Sequence, residues 1–249
     1  MIFPIGTVGR RSFRAYMTFG IIFINVLFAL VELLVFARGE GSVISFFNSY
    51  ALASCRIGQE PVLYTLQKGI MTMFLHGSVM HLFGNMMFLW VFGPRVEEFF
   101  GHKRFLAFYL IVGLLASVAH VLFGGIVCHI GMSFGADILI GASGAIAGIM
   151  GAFLFLYPGS KIRTFVVFLF PHKKDGGWTF DLFRIFAVPA FVYLIFWVGM
   201  DIFNVMKPAI TNVAHWAHIG GFFAGVALMF IVTMFVPAPA GNPLEHLDT

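Results

Sequence analysis

Along the chain, apolar residues come in long uninterrupted runs, broken by short clusters of charged, proline or glycine positions rather than by strand-like alternation. Such runs predict helices that are apolar all round, the form a backbone takes when it must satisfy itself in hydrocarbon. Judged against the roughly 20 residues needed to cross a bilayer, six spans fall near 17–37, 79–99, 104–124, 143–157, 183–206 and 213–236. Repeated segments of about ten alternating residues would indicate a lipid-embedded barrel, and the sequence has none. The expected fold is all-α: one six-span membrane bundle over residues 1–236 with a short central fourth helix. A disordered cytoplasmic tail, 237–249, rich in Pro and Ala, is expected to follow.

Two connections carry patterns of their own. Residues 38–78 form a long outer loop between spans 1 and 2, where Phe46, Phe47, Tyr50, Leu52, Val62, Leu63, Tyr64 and Leu66 alternate with polar residues. That pattern predicts short helices lying in the interface. Residues 160–182 hold an apolar run from Phe165 to His172 that is too short to cross and is expected to rest at the inner surface.

Composition agrees with the pattern: 60% of residues are hydrophobic, only 10% are charged, and 33 are Phe. A soluble domain carries about 25% charged residues. The net charge of +4 does not point to nucleic acid, because the basic residues sit at segment ends rather than in one patch. With a cytoplasmic N-terminus, the inner side holds Arg10, Arg11, Arg14, Arg95, Lys103, Arg104, Lys161, Arg163, Lys173, Lys174 and Arg184. The outer side holds only Arg38, Arg56, Lys68 and Lys207. This bias sets both termini in the cytoplasm, as expected in a bacterial inner membrane. The first apolar segment follows basic residues like a signal peptide, but its length of about 20 residues exceeds the usual h-region, so it reads as a retained span. Cys55 and Cys128 both fall on the outer side, where a disulfide and two unpaired thiols are both open.

The chemistry centres on Ser143, in Gly141-Ala142-Ser143-Gly144-Ala145, and on His218 in the last span. A hydroxyl and an imidazole in hydrocarbon each cost free energy unless partnered, and the economical partner for each is the other. From Ser143 to Tyr157 a helix would measure about 22 Å against a hydrocarbon core of about 30 Å. The serine therefore lies beneath the outer surface, and the backbone before it must line a cavity. Ser143, Ala147 and Gly151 follow one helical face with Gly144 and Gly148 adjoining, and His218, Gly221 and Gly225 follow another. Two small-residue faces allow the helices to pack closely and the two side chains to meet. His81 and Asn85, at i and i+4 after His76, offer donors for an oxyanion beside the Ser143 N–H. The blander readings remain: small-residue stripes are common helix contacts, a membrane serine often bonds its own helix, and hydrogen-bonding the outer loop to the bundle suits His76 equally and the deeper Asn85 less. His120, His129 and His215 read as interfacial or structural residues.

Three ordered motifs resemble the rhomboid family of intramembrane serine proteases: His81-Leu82-Phe83-Gly84-Asn85, Gly141-Ala142-Ser143-Gly144, and Ala217-His218-Ile219-Gly220-Gly221 with Gly225. The resemblance covers roughly residues 17–236 and implies the basic six-span form. It implies Ser143 as nucleophile, His218 as general base, and Asn85, His81 and the Ser143 N–H as the oxyanion hole. It implies no catalytic Asp, and Asp201, near the outer end of the fifth span, and Asp137, in a loop, are not assigned. Some members stack an aromatic residue on the histidine from four positions after the serine. Ala147 stands there, leaving a nearby Phe or Trp216 as the substitute. Gly93 and Glu97 resemble a structural feature of the family at the inner end of the second span.

The expected activity is cleavage of single-span transmembrane protein substrates within the lipid bilayer, with no metal or cofactor, and with access past Phe196, Trp197 and Phe203. The rivals are a transporter of metal ions or protons, using His76, His81, His215 and His218, and an inactive rhomboid-like protein that binds membrane proteins. Against the transporter, no carboxylate is expected near these histidines.

Overall fold

The computed structural model describes residues 2–8, 13–124, 138–174, 177–207 and 213–235. The chain is mostly helical, in the order β1 (Ile2–Thr7), α1 (Tyr16–Phe36), α2 (Glu40–Tyr50), β2 (Leu52–Ala53), α3 (Val62–Met71), α4 (Val79–Phe100), α5 (His102–Gly124) and β3 (Ile138–Leu139). There follow α6 (Ser143–Leu156), β4 (Lys161–Lys174), β5 (Gly177–Pro189), α7 (Ala190–Val205) and α8 (His215–Phe235). Helices α1, α5 and α8 are long and apolar enough to cross a membrane, and α6 and α7 are shorter apolar helices. The expected tail, the Cys55–Cys128 pairing and His129 lie outside the described residues.

α6 is the hub. Its residues from Gly144 to Phe153 are all buried, and they pack against α4, α5 and α8. The approach to α8 brings backbone against backbone: a methyl group on Gly221 would run into the Gly144 carbonyl oxygen, and one on Gly225 into that of Gly148. Glycines on both helices thus remove the side chains that would hold the axes apart. α1 is fastened to α4 by Glu97, whose carboxylate takes the N–H groups of Met17 at 2.9 Å and Thr18 at 2.7 Å. It also accepts the Thr18 hydroxyl at 2.6 Å, and His102 Nδ1 lies 2.5 Å away. Thr18 fits because the facing residue is Gly93, where a Cβ would lie 2.8 Å from the threonine methyl.

Three expectations are corrected. The described chain is not all-α, because β4 and β5 form a long antiparallel hairpin whose free side pairs with β1, giving the strand order β1-β4-β5. The apolar run from Phe165 to His172 is therefore strand rather than a surface-resting segment. The composition of β4, with Ile162, Thr164, Phe165, Val166, Val167 and Phe168, is that of β-branched and aromatic residues. Likewise residues 183–189 belong to β5, and α7 begins only after Pro189, whose φ of −54° suits a helix start. Buried Pro4, Ile162 and Thr164 turn one face of this sheet toward the helices, while Phe180, Leu182 and Ile185 stand exposed.

Candidate active site

Between α1 and α4 the chain forms the short helices α2 and α3 and then builds the entrance to α6. Thr72, buried at the end of α3, accepts the Leu52 N–H at 2.8 Å, donates its hydroxyl to the Leu139 carbonyl at 2.7 Å, and offers its own carbonyl to the Gly141 N–H at 2.9 Å. The two-residue ladder of β2 with β3 runs alongside. Gly141 then turns with φ +114°, a conformation that other residues rarely adopt, and a Cβ on it would meet the His81 ring at 2.7 Å and Asn85 Nδ2 at 3.4 Å. The chain enters α6 at Ser143, where the first N–H groups of the helix lack intrahelical partners and favour negative charge.

At that point α8 delivers His218, whose Nε2 lies 2.8 Å from Ser143 Oγ. The expected encounter of the two side chains is present. His81 and Asn85 lie against Gly141, two residues before the serine. Asn85 is buried, and its Nδ2 has no hydrogen-bond partner among the described residues. A buried donor left free costs about 1–3 kcal/mol, so its cost is relieved if an acceptor visits. His81 is oriented differently from a simple donor: its Nδ1 faces the His76 carbonyl oxygen at 2.8 Å and so carries the proton. The neutral ring presents Nε2 as an acceptor, and donation from Nε2 needs the imidazolium. His76 sits beneath it, ring centroids 5.2 Å apart, and its N–H is held by Glu32 at 2.8 Å. Burial, aided by the neighbouring His81, lowers the His76 pKa to about 4.

The support of His218 corrects the sequence reading twice. Trp216 turns away to Phe123, with centroids 5.5 Å apart, and the aromatic side chain on His218 is Trp197 of α7 at 5.4 Å. Asp201, one helical turn further along α7, places Oδ2 3.1 Å from His218 Nδ1, and its Oδ1 lies 2.5 Å from His215 Nδ1. A carboxylate therefore does sit among these histidines, and orientation of His218 does not rest on packing alone. The signal was available: Asp201 is an acid within an apolar helix, a residue that asks for a named partner, and Trp197 shares its face at i−4.

Asp201, His215 and His218 have ligand atoms within 4.8 Å of one another, a donor set that suits a divalent cation. The 2.5 and 3.1 Å separations are, however, those of atoms sharing protons directly. A cleft of about 290 Å³ opens onto this group, lined by Phe88, Tyr193, Phe196, Trp197 and Met200 as well as Asp201 and His218. Phe203, expected on the access route, is not part of its lining.

A serine at a buried helix start, bonded to a histidine inside a bundle of apolar helices, defines an integral membrane protein with the side-chain arrangement of a serine hydrolase. Residues 65–235 match the Rhomboid domain family, and the chain belongs to the rhomboid family. It is 32% identical over 165 residues to RHOMBOID-like protein 6, mitochondrial, of Arabidopsis thaliana, a match covering 66% of this chain and 43% of that one. It is 30% identical over 158 residues to the rhomboid protease GluP of Bacillus subtilis, covering 62% of this chain and 24% of the relative. Rhomboid protein 1, mitochondrial, of Saccharomyces cerevisiae is 29% identical over 155 residues, 61% of this chain and 38% of its own. The match thus spans less than half the length of each of these relatives.

Proposed function

We propose that this protein is an intramembrane serine protease acting on single-span membrane proteins, with α1, α4, α5, α6, α7 and α8 as its six spans, of which α6 is too short to cross the whole hydrocarbon core. Both termini lie in the cytoplasm and the site opens outward. The observation that carries the reading is the 2.8 Å contact between Ser143 Oγ and His218 Nε2 at the start of a truncated helix. Family membership and the likeness to a named rhomboid protease support it.

In the reaction, Ser143 Oγ bonds to the scissile carbonyl carbon while its proton passes to His218 Nε2, and the carbonyl electron pair moves onto oxygen. That oxyanion is stabilised by the Ser143 N–H and Asn85 Nδ2, with His81 as a further donor when protonated. Collapse breaks the C–N bond, and the leaving amine takes the proton from His218. Water then attacks the acyl ester, giving a proton to His218 that returns to Ser143 Oγ as the carboxylate product leaves. A peptide bond inside a helix is shielded, so the favoured substrates carry small or helix-destabilising residues near the outer end of their span.

The test is fluorophosphonate labelling of the protein in detergent, comparing wild type with Ser143→Ala and His218→Ala. Label on the wild type alone is expected, and equal labelling of all three rules out the pair.

A further inference from the structure

We propose that Asp201, held in place by His215, is a positioning residue for His218. This inference rests on the Ser143 and His218 reading and deepens it. The two carboxylate oxygens are divided: Oδ1 faces His215 Nδ1 at 2.5 Å and Oδ2 faces His218 Nδ1 at 3.1 Å. All three residues have side chains about nine-tenths buried, so none of these contacts is a solvated surface pair.

The hydrogen-bond pattern leaves little choice of tautomer. An ionised carboxylate only accepts, so both imidazoles present Nδ1–H to it. His215 Nε2 is buried with no partner among the described residues, so the Nδ1–H to Asp201 is the one hydrogen bond its ring makes there. With its proton on Nδ1, His218 turns an unprotonated Nε2 toward Ser143 Oγ, the form that accepts a proton from the nucleophile. When that proton arrives, the imidazolium keeps its Nδ1–H against the carboxylate, which stays ionised. Trp197, 5.4 Å from His218 and four residues before Asp201, closes the same side of the ring, so a single face of α7 holds the imidazole in orientation and tautomer.

Two measurements test this. In detergent-solubilised protein labelled with nitrogen-15 histidine, His218, assigned by loss of its signals in His218→Gln, is expected as the Nδ1–H tautomer with a downfield proton. That proton disappears in Asp201→Asn. In cleavage of a single-span substrate, Asp201→Asn is expected to lower kcat on the order of 10²–10⁴-fold with KM little changed, by analogy with other serine proteases. Asp201→Glu recovers part of the loss, a rescue that mere filling of the site does not produce. An Nε2–H tautomer in the wild-type spectrum overturns the proposal even if no Asp201 variant folds, as does an Asp201→Asn enzyme within twofold of wild type. Activity lost to a chelator and restored by zinc would assign the cluster to a metal ion and overturn it too. If Ser143→Ala keeps its label, the protease reading fails separately, while the spectrum still decides the contact.

Discussion

Substitution of Gly221 by Ala probes the link between helix packing and chemistry. Gly221 follows His218 by three residues on the same face of α8, and its added methyl would enter the Gly144 carbonyl oxygen, one residue beyond Ser143. A carbon and an oxygen normally stand about 3.3–3.6 Å apart, so α6 and α8 must part by roughly 1 Å. The Ser143 to His218 contact, 2.8 Å in the structure, then passes beyond hydrogen-bond reach. A misplacement of about 1 Å costs on the order of 10²-fold in rate, or about 2.7 kcal/mol of barrier. Stability suffers less: overpacking costs about 1–3 kcal/mol, and alanine returns up to about 1 kcal/mol of helix propensity. The assay compares fluorophosphonate labelling rate and thermal unfolding in detergent, with Gly199→Ala as control. Gly199 has nothing within 4 Å of its Cβ position, so that variant keeps the labelling rate and melts no lower than the wild type. A Gly221→Ala protein that labels at the wild-type rate would refute the claim that the glycine seam sets the spacing of serine and histidine.

Asn85→Ala is expected to lower kcat by about 3 kcal/mol of barrier, with little change in melting temperature because Nδ2 has no partner to lose among the described residues. Steady-state cleavage and thermal unfolding together check this. Glu97→Gln strikes the opposite end of α4, where a fully buried carboxylate ties down Met17, Thr18 and His102. A loss of about 3 kcal/mol of stability is expected, with the kcat of the surviving fold unchanged. Burial holds the His76 pKa near 4 in the folded protein, against about 6.5 unfolded. The unfolded chain therefore binds a proton that the native one refuses, and the contribution of His76 to stability falls as pH drops from about 6.5 toward 4, by at most roughly 3 kcal/mol. The melting temperature of the wild type relative to His76→Gln, compared across that range, should drop accordingly.

The helices nearest the site were legible because their signals are simple. Ser143 and Pro158-Gly159 bracket α6 in the sequence, and the small-residue stripes on α6 and α8 announce a close approach that the coordinates contain. The β4–β5 hairpin was not legible as strand, because hydropathy counts Phe, Val and Ile equally in a helix and a sheet. Only their β propensity and the bulge between Val167 and Phe170 distinguish the ladder. Asp201 escaped for a different reason. Its partners His215 and His218 lie in another helix, and spacing along α7 carries no information about what faces it. The aromatic support of His218 likewise moved from Ala147 on α6 to Trp197 on α7, a substitution in space that residue-by-residue matching does not see.

The strands have a mechanical consequence for the cleft. α7 leaves β5 directly at Pro189, and the Ala190 N–H is bonded to the Ser160 carbonyl at 2.7 Å, so its first residue is tied to the strands while Trp197 and Asp201 lie two and three turns further along. Trp197 and Asp201 line the cleft and also touch His218, so a tilt of α7 about that anchor would change the width of the cleft and the bond to His218 together.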